Sequence, residues 1–458
     1  MQPFLSRRAF LAAFATLLFA LLFPLLAGSG AWAQDDAMPA PVAAPAPTFP
    51  VGADTAWLLV SSALVMLMTP ALALFYAGLV RRKNVLSTMM LCLVCLPVVS
   101  IVWVVCGYSL AFGAGSPFLG GLQHAFLRGT EPGAQLTINS EVVTAPARLF
   151  VVYQMMFAVI TPALIAGAVV ERIRFGAFAV FVALWSLLVY CPVAHMVWGD
   201  GGFLHKIGAL DFAGGLAVHV ASGVSALTLC LILGKRRLRP GEAALTPHNL
   251  PTMLTGAFLL WFGWFGFNAG SAGAASELAS SALLNTHLAA AAGALAWAIV
   301  ERITIKQATT VGFASGAVIG LVSITPGSGY VSPLSALLIG AIGAVAGYFA
   351  TRLKAVLGAD DTLDVFAIHG VGGLWGTVAV GLFADAAINP HGNGLLTGGG
   401  FGLLGAQLIS VMVAVAVSVA GTAAIALGLR QVMGLRVSEA VEESGVDTAI
   451  HGEEAYAG

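Results

Sequence analysis

The chain is 458 residues long, 59% hydrophobic and only 9% charged, with a formal net charge of −1 at pH 7. Soluble domains carry about 25% charged residues, so most of this chain must lie in lipid, and the balanced charge gives no electrostatic case for nucleic acid. The 55 glycines sit in apolar runs and form no polar Gly-rich tract, which suits close helix packing in a membrane.

The first element reads as a cleaved export signal over residues 1–33. Arg7 and Arg8 precede an apolar core from Ala9 to Leu26, and "AWA" before Gln34 is an A-x-A cleavage site. "SRRAFLA" also fits a twin-arginine signal, but a Sec-type signal is expected because a many-spanning protein inserts as it is made. Residues 34–53, "QDDAMPAPVAAPAPTFPVGA", then form a Pro/Ala-rich exported tail with no folding capacity.

A membrane helix needs roughly 20 apolar residues. On that basis residues 54–430 hold eleven segments, near 55–79, 86–112, 147–170, 176–198, 213–233, 251–271, 281–300, 308–323, 332–353, 364–384 and 400–429. The segment 308–323 is the weakest, being short and Gly-rich. Basic residues set the orientation. Fifteen follow odd-numbered spans (Arg81, Arg82, Lys83, Arg172, Arg174, Lys235, Arg236, Arg237, Arg239, Arg302, Lys306, Arg352, Lys354, Arg430 and Arg436), whereas Arg128, Arg148 and Lys206 fall on the other side. This positive-inside bias predicts an outside N-terminus and a cytoplasmic C-terminus. Cys92 and Cys95 make a C-x-x-C, yet "MLCLVCLPV" is membrane-span sequence, so buried packing is expected over redox or zinc chemistry.

Two stretches echo each other. "DFAGGLAVHVASGVSAL" opens the fifth span and "DVFAIHGVGGLWGT" the tenth, each with an acid before a histidine and small residues after it. Five spans apart, they predict an all-α fold of two inverted five-helix repeats with a site at the midplane. Ionisable groups inside a span cost about 2.5–3.5 kcal/mol and face the bundle interior. His219 and His369 are therefore expected to share one site, whereas His195, Glu277 and His287, nearer span ends, read as interfacial. Two neutral imidazoles can hydrogen-bond to each other and still offer a polar edge to a pore. Zinc wants three or four ligands and no third partner is evident, so no metal or cofactor is expected. Asp211, about two helical turns before His219, reads first as a structural carboxylate accepting N–H bonds from "FAGG", and second as an attraction for cations at the outer mouth.

The pieces "YQMMFAVITPALIAGAVVERIRF", "PVAHMVWGDGG", "DFAGGLAVH", "TPHNLPTMLTG", "WFGFNAGSAG", "DVFAIHGVGG" and "GLRVSEAVEESGVDTAIHGEEAYA", in this order from about residue 150 to the end, resemble the ammonium transporter (Amt/Mep/Rh) family on its bacterial Amt side. The resemblance implies an eleven-helix subunit in a homotrimer, one pore per subunit, in the bacterial inner membrane. It implies an outer ammonium site at Trp198, Phe157 and Ser271, a stacked gate of Phe157 and Phe267, and twin histidines His219 and His369 relaying a proton. Trp264 and Tyr153 fall at aromatic positions near the pore. Asp200 in "WGDGG" departs from the family pattern by lengthening the loop between Trp198 and Asp211. The tail over 431–458 would by composition be a disordered trailer; the resemblance implies instead an ordered tail that docks under the trimer, turning at Gly434, and helps PII-type signal proteins plug the pores.

Magnitudes bear on what would cross. An unpaired ammonium ion in hydrocarbon costs tens of kcal/mol in a Born estimate, whereas removing its proton at pH 7 costs about 3 kcal/mol for a pKa of about 9. Deprotonation wins, which fits an aromatic pore with two neutral histidines. The competing readings are an ammonium sensor acting through a separate partner and a Rh-like neutral-gas channel, against which a cation site at Trp198 argues. An intramembrane hydrolase fits least, for lack of a nucleophile and base, so no enzyme is expected.

Overall fold

The computed structural model describes residues 51–139, 141–237 and 247–456. The expected signal over 1–33, most of the tail over 34–53, and Arg239 lie outside the described residues. Among those described, ten helices are long and apolar enough to cross a membrane, and one apolar helix is shorter. In chain order they are α1 (Gly52–Leu79), α2 (Arg82–Phe112), α3 (Ala147–Val169), α4 (Phe175–Lys206, broken after Trp198), α5 (Gly215–Leu233), α6 (Leu250–Ala272), α7 (Glu277–Thr304), α8 (Thr310–Ile324), α9 (Pro333–Val356), α10 (Phe366–Phe383) and α11 (Gly402–Val432). The first helix starts inside the stretch read as exported tail. Asp54 explains the early start: it lies in the first turn, where a carboxylate is favourable, and its Oδ1 accepts the Ala275 amide at 2.9 Å.

The eighth segment is real but short. Its 15 residues reach about 22 Å, less than the ~30 Å hydrocarbon core. Beyond it the chain runs as buried turns, which lipid tolerates only where protein satisfies the backbone. Here Asn285 Nδ2 donates to the carbonyls of Ser328 (2.9 Å) and Val331 (2.8 Å), and the Phe212 amide donates to Pro326 O (3.0 Å). That break lies beside the start of α5.

α3 and α5 form the centre of the bundle, while α2 and α11 are mostly peripheral. Between α2 and α3 the chain makes two small antiparallel hairpins, β1 (Gly115–Ser116) with β2 (Leu119–Gly120) and β3 (Thr137–Ile138) with β4 (Glu141–Val142).

At the opposite face the loops are tied by charge. Buried Glu171 pairs with Arg81 (2.9 Å) and Arg236 (3.1 Å), and Arg236 reaches Asp360 (2.8 Å). Burial alone would push both carboxyls up; the guanidiniums win, holding Glu171 below its ordinary value and Asp360 at about 2. Arg172, fully buried, donates to the carbonyls of Ala168, Gly234 and Asp360 and to Thr362 Oγ1. Breaking such a buried network leaves uncompensated charge, which costs several kcal/mol.

The C-terminal tail packs on these loops. Gly434 turns the chain in the left-handed region (φ 71°), which glycine takes without strain. The Arg174 amide then donates to Leu435 O and the Val437 amide to Arg172 O. In α12 (Glu439–Ser444) the buried Glu442 pairs with Arg436 (2.8 Å) and accepts the Arg237 amide (2.7 Å). In α13 (Val446–His451) the Asp447 carboxylate accepts the Leu86 and Ser87 amides at 2.9 and 2.7 Å, near the start of α2.

Candidate functional site

The site begins where α5 and α10 cross. A Cβ on Gly223 would lie 2.1 Å from Gly370 N, and one on Gly373 would lie 2.9 Å from His219 Cβ and 3.1 Å from Gly215 O. Gly215 therefore faces Gly373 while Gly223 faces Gly370, and the two helices run antiparallel in backbone contact. Only glycine permits that approach. It brings His219 and His369 together, with Nδ1 of one 3.3 Å from Nδ1 of the other and the rings inclined at 28°. Each histidine sits in a π-helical turn, Gly215–Val220 and Phe366–Val371, an uncommon element that recurs at functional sites.

A carboxylate starts each of these helices. Asp211 Oδ1 accepts the amides of Gly214 (2.8 Å) and Gly215 (2.6 Å), and Oδ2 those of Leu216 (2.7 Å) and Ala217 (3.4 Å). Burial pushes this carboxyl up from its ordinary value, and the four amides pull against it. Its counterpart is Asp361, which accepts the amides of Val365 (3.1 Å) and Phe366 (2.7 Å). Burial and then the neighbouring Asp364 charge push it up to about 6. The echo in the sequence pairs Asp364 with Asp211. Asp364 instead has φ 57° and pairs with Lys354 at 2.7 Å; the true match is Asp361, which, like Asp211, lies eight residues before its histidine.

On the hairpin side a cavity of about 510 Å³ is lined by Phe157, Trp198, Ser271, Tyr153, Gln154 and Asp211 among others. The Trp198 indole Nε1 donates to the Asp211 carbonyl (2.8 Å), and its ring stands at 84° to Phe157, 6.4 Å away. Ser271 Oγ donates to Phe267 O (2.8 Å) and lies 3.1 Å from the Tyr153 hydroxyl. Phe157, which lines the cavity, packs on Phe267, their ring centroids 4.3 Å apart and both side chains buried. Beyond them lies a space of only about 10 Å³ beside Phe267, Trp264, His219 and His369, about the volume one water-sized molecule needs. His219 Nε2 is buried there with no hydrogen-bond partner in the protein. Trp264 stacks on the His219 ring (5.5 Å, 26°) and is fixed by its Nε1 donating to Thr325 Oγ1 at 2.9 Å.

Of the residues expected to act together, Trp198, Phe157 and Ser271 thus line the cavity, and Phe267, His219 and His369 line the narrow space beyond the Phe157–Phe267 contact. Asp211 lines the cavity too; its carboxylate accepts the amides that start α5, and its carbonyl accepts the Trp198 indole. Gln154 was not singled out from sequence. It lines the cavity one turn before Phe157, with Oε1 shielded and lacking a donor in the protein; a glutamine in the apolar run "YQMMF" was the available signal. His195 lies three residues before the break in α4, beside the first hairpin. It is fully buried, its ring nitrogens 3.0 and 2.9 Å from the carbonyls of Ala111 and Ser116. Glu277 does lie exposed at the start of α7. His287, ten residues farther on, is exposed at mid-helix beside Trp261. Cys92 and Cys95 are buried free thiols, and among the described residues no three His, Cys, Asp or Glu gather as a metal set.

Comparison with known proteins agrees with this geometry. Residues 56–456 match the family model described as Ammonium Transporter Family. The chain is 46% identical over 406 residues to an ammonium transporter of Bacillus subtilis (strain 168), covering 88% of this chain and 98% of that one. Its fold is similar to the crystal structure of Candida albicans Mep2, with TM-score 0.80 at 37% identity over 88% of this chain and 93% of that one. A solved sensor Amt protein is also similar, with TM-score 0.80 at 28% identity over 88% of this chain and 98% of that one. This multi-pass membrane protein belongs to the ammonium transporter family.

Proposed function

We propose that the protein carries ammonium across the bacterial inner membrane, recruiting the cation at the hairpin-side cavity, removing its proton and passing ammonia through the narrow space beside the histidines. The observation that carries this reading is the buried His219–His369 contact below the Phe157–Phe267 stack. Indole and phenyl faces attract a cation by about 0.5–2 kcal/mol, more when it is desolvated, and Ser271 Oγ and Gln154 Oε1 can accept its N–H groups. A dry aromatic constriction then favours the neutral molecule over the ion by a wide margin. A proton left behind can enter the imidazole pair, whose shared hydrogen bond provides the transfer route.

The finer architecture follows the same reading. An outside position for the hairpins and cavity, and a cytoplasmic one for the docked tail, are supported by the excess of Arg and Lys on the tail face. The antiparallel α5 and α10, each begun by an aspartate eight residues before its histidine, support an inverted repeat. A homotrimer is supported by the face carrying Phe258, Phe262, Leu284 and His287: all are exposed in the single chain, and a mid-membrane imidazole facing lipid is costly. The tail face is the side on which a PII-type protein would bind.

The test is current across proteoliposomes after an ammonium pulse, with and without an imposed proton gradient. His219→Ala or His369→Ala should abolish the current; electrogenic, ammonium-selective transport by the double variant would remove the relay. A second reading, an ammonium sensor, is favoured by the likeness to the sensor Amt protein. Ammonium binding without current or flux in the wild-type protein would select it.

A further inference from the structure

We propose that Asn139, at the tip of the β3–β4 hairpin, is a positioning residue that holds Trp198 over the cavity. This rests on the reading of Trp198 as the outer contact of ammonium.

α4 breaks just after Trp198, where Gly199 turns to extended backbone (ψ 154°). The last carbonyls of a helix have no partner within it, and the next four residues, Gly199, Asp200, Gly201 and Gly202, contain three glycines, so the chain there has little stiffness of its own. Asn139, 59 residues upstream, bridges this weak point. Its Nδ2 donates to the Trp198 carbonyl (3.2 Å) and its Oδ1 accepts the Gly201 amide (3.3 Å). One planar amide therefore spans the break, meeting a carbonyl on one side and an N–H on the other.

The backbone at this position points the same way. Asn139 has φ 50°, a left-handed conformation that asparagine tolerates better than other side-chain-bearing residues. Asparagine supplies both the conformation and the two-sided amide. Trp198 is then fixed twice: its backbone by Asn139, and its indole by the Asp211 carbonyl at 2.8 Å. The second bond alone leaves the ring free to follow its backbone away from Phe157. On the hairpin's other strand, Glu141 lies 3.4 Å from His391.

The experiment measures the half-saturating ammonium concentration and the maximal current in proteoliposomes for Asn139→Gly, Trp198→Leu and the double variant. Glycine keeps the left-handed backbone while removing the amide. Asn139→Gly is expected to raise half-saturation about fivefold, the worth of about 1 kcal/mol of net hydrogen bonding, with maximal current little changed. In the Trp198→Leu background it should add nothing, because there is no longer an indole to place. Additive effects overturn the proposal, as does an unchanged half-saturation or a fall confined to maximal current. An unaffected Asn139→Gly beside an impaired Trp198→Leu overturns the proposal alone; an unaffected Trp198→Leu takes down the cation-site reading with it. If the glycine variant does not reach the membrane, Asn139→Asp is read in the same way, since it keeps the acceptor for Gly201 and turns an oxygen on the Trp198 carbonyl.

Discussion

Gly223→Ala places one methyl group where α5 and α10 meet. Its Cβ would fall 2.1 Å from Gly370 N and 2.4 Å from Gly370 Cα, both main-chain atoms that cannot swing aside. Restoring ordinary contact requires the helices to part by about 1.3 Å, an overpacking that costs about 1–3 kcal/mol and leaves a chain of this size folded. His219 lies one turn from Gly223, and His369 is the neighbour of Gly370, so the parting is passed to the rings. A 3.3 Å contact then opens to about 4 Å or more, outside hydrogen-bonding range. Gly373→Ala, whose Cβ meets the His219 Cβ at 2.9 Å, should have a milder effect. We expect ammonium-driven current in proteoliposomes to fall more than about tenfold for Gly223→Ala and by an intermediate amount for Gly373→Ala, the tenfold corresponding to about 1.4 kcal/mol on the rate-limiting step. Membrane insertion and elution as a single species are the controls. Wild-type current and selectivity in Gly223→Ala would refute the argument that the glycine crossing sets the histidine contact.

Trp198→Leu should raise half-saturating ammonium more than it lowers maximal flux, because the indole acts on the cation before deprotonation; a change in flux alone assigns the ring to packing. Gln154→Leu should weaken competition by ammonium more than by potassium, since only ammonium donates hydrogen bonds to Oε1; equal losses would remove the acceptor role. Asp360, held at about 2 against an ordinary value near 3.8, contributes stability above about pH 4 that is lost as pH falls towards 2. This amounts to about 1–2 kcal/mol after solvent screening. Asp360→Asn should therefore lower the thermal midpoint in detergent at pH 7, with the gap to wild type narrowing on acidification; a gap independent of pH would contradict this. Deleting residues 436–458 should reduce transport and binding of a PII-type partner without loss of protein from the membrane, and wild-type values for both would make the tail a trailer.

The membrane helices were legible because long apolar runs have few other uses, and even α8 showed its shortness as a Gly-rich stretch. The histidine pair was legible because an ionisable group in such a run needs a reason. Three features were not. His195 sits near a span end, which says nothing of the carbonyls that Ala111 and Ser116 bring to its ring. Asp361 is masked in the sequence by the nearer Asp364, because "DFAGG" and "DTLD" share no pattern although Asp211 and Asp361 both receive helix-start amides. Asn139 lies in a loop, where its significance depends on a partner 59 residues away.

The contact between two Nδ1 atoms has a parity. One hydrogen occupies the gap, so the rings must hold opposite tautomers, one outer Nε2 bare and the other protonated. A proton taken up at the bare end and released from the other reverses both tautomers, and the same end cannot accept a second. In the relay proposed above, the pair would carry one charge in a given direction and would then need resetting, by ring reorientation or by a returning hydrogen, before the next. That reset would set a ceiling on turnover that no increase in outside concentration can lift.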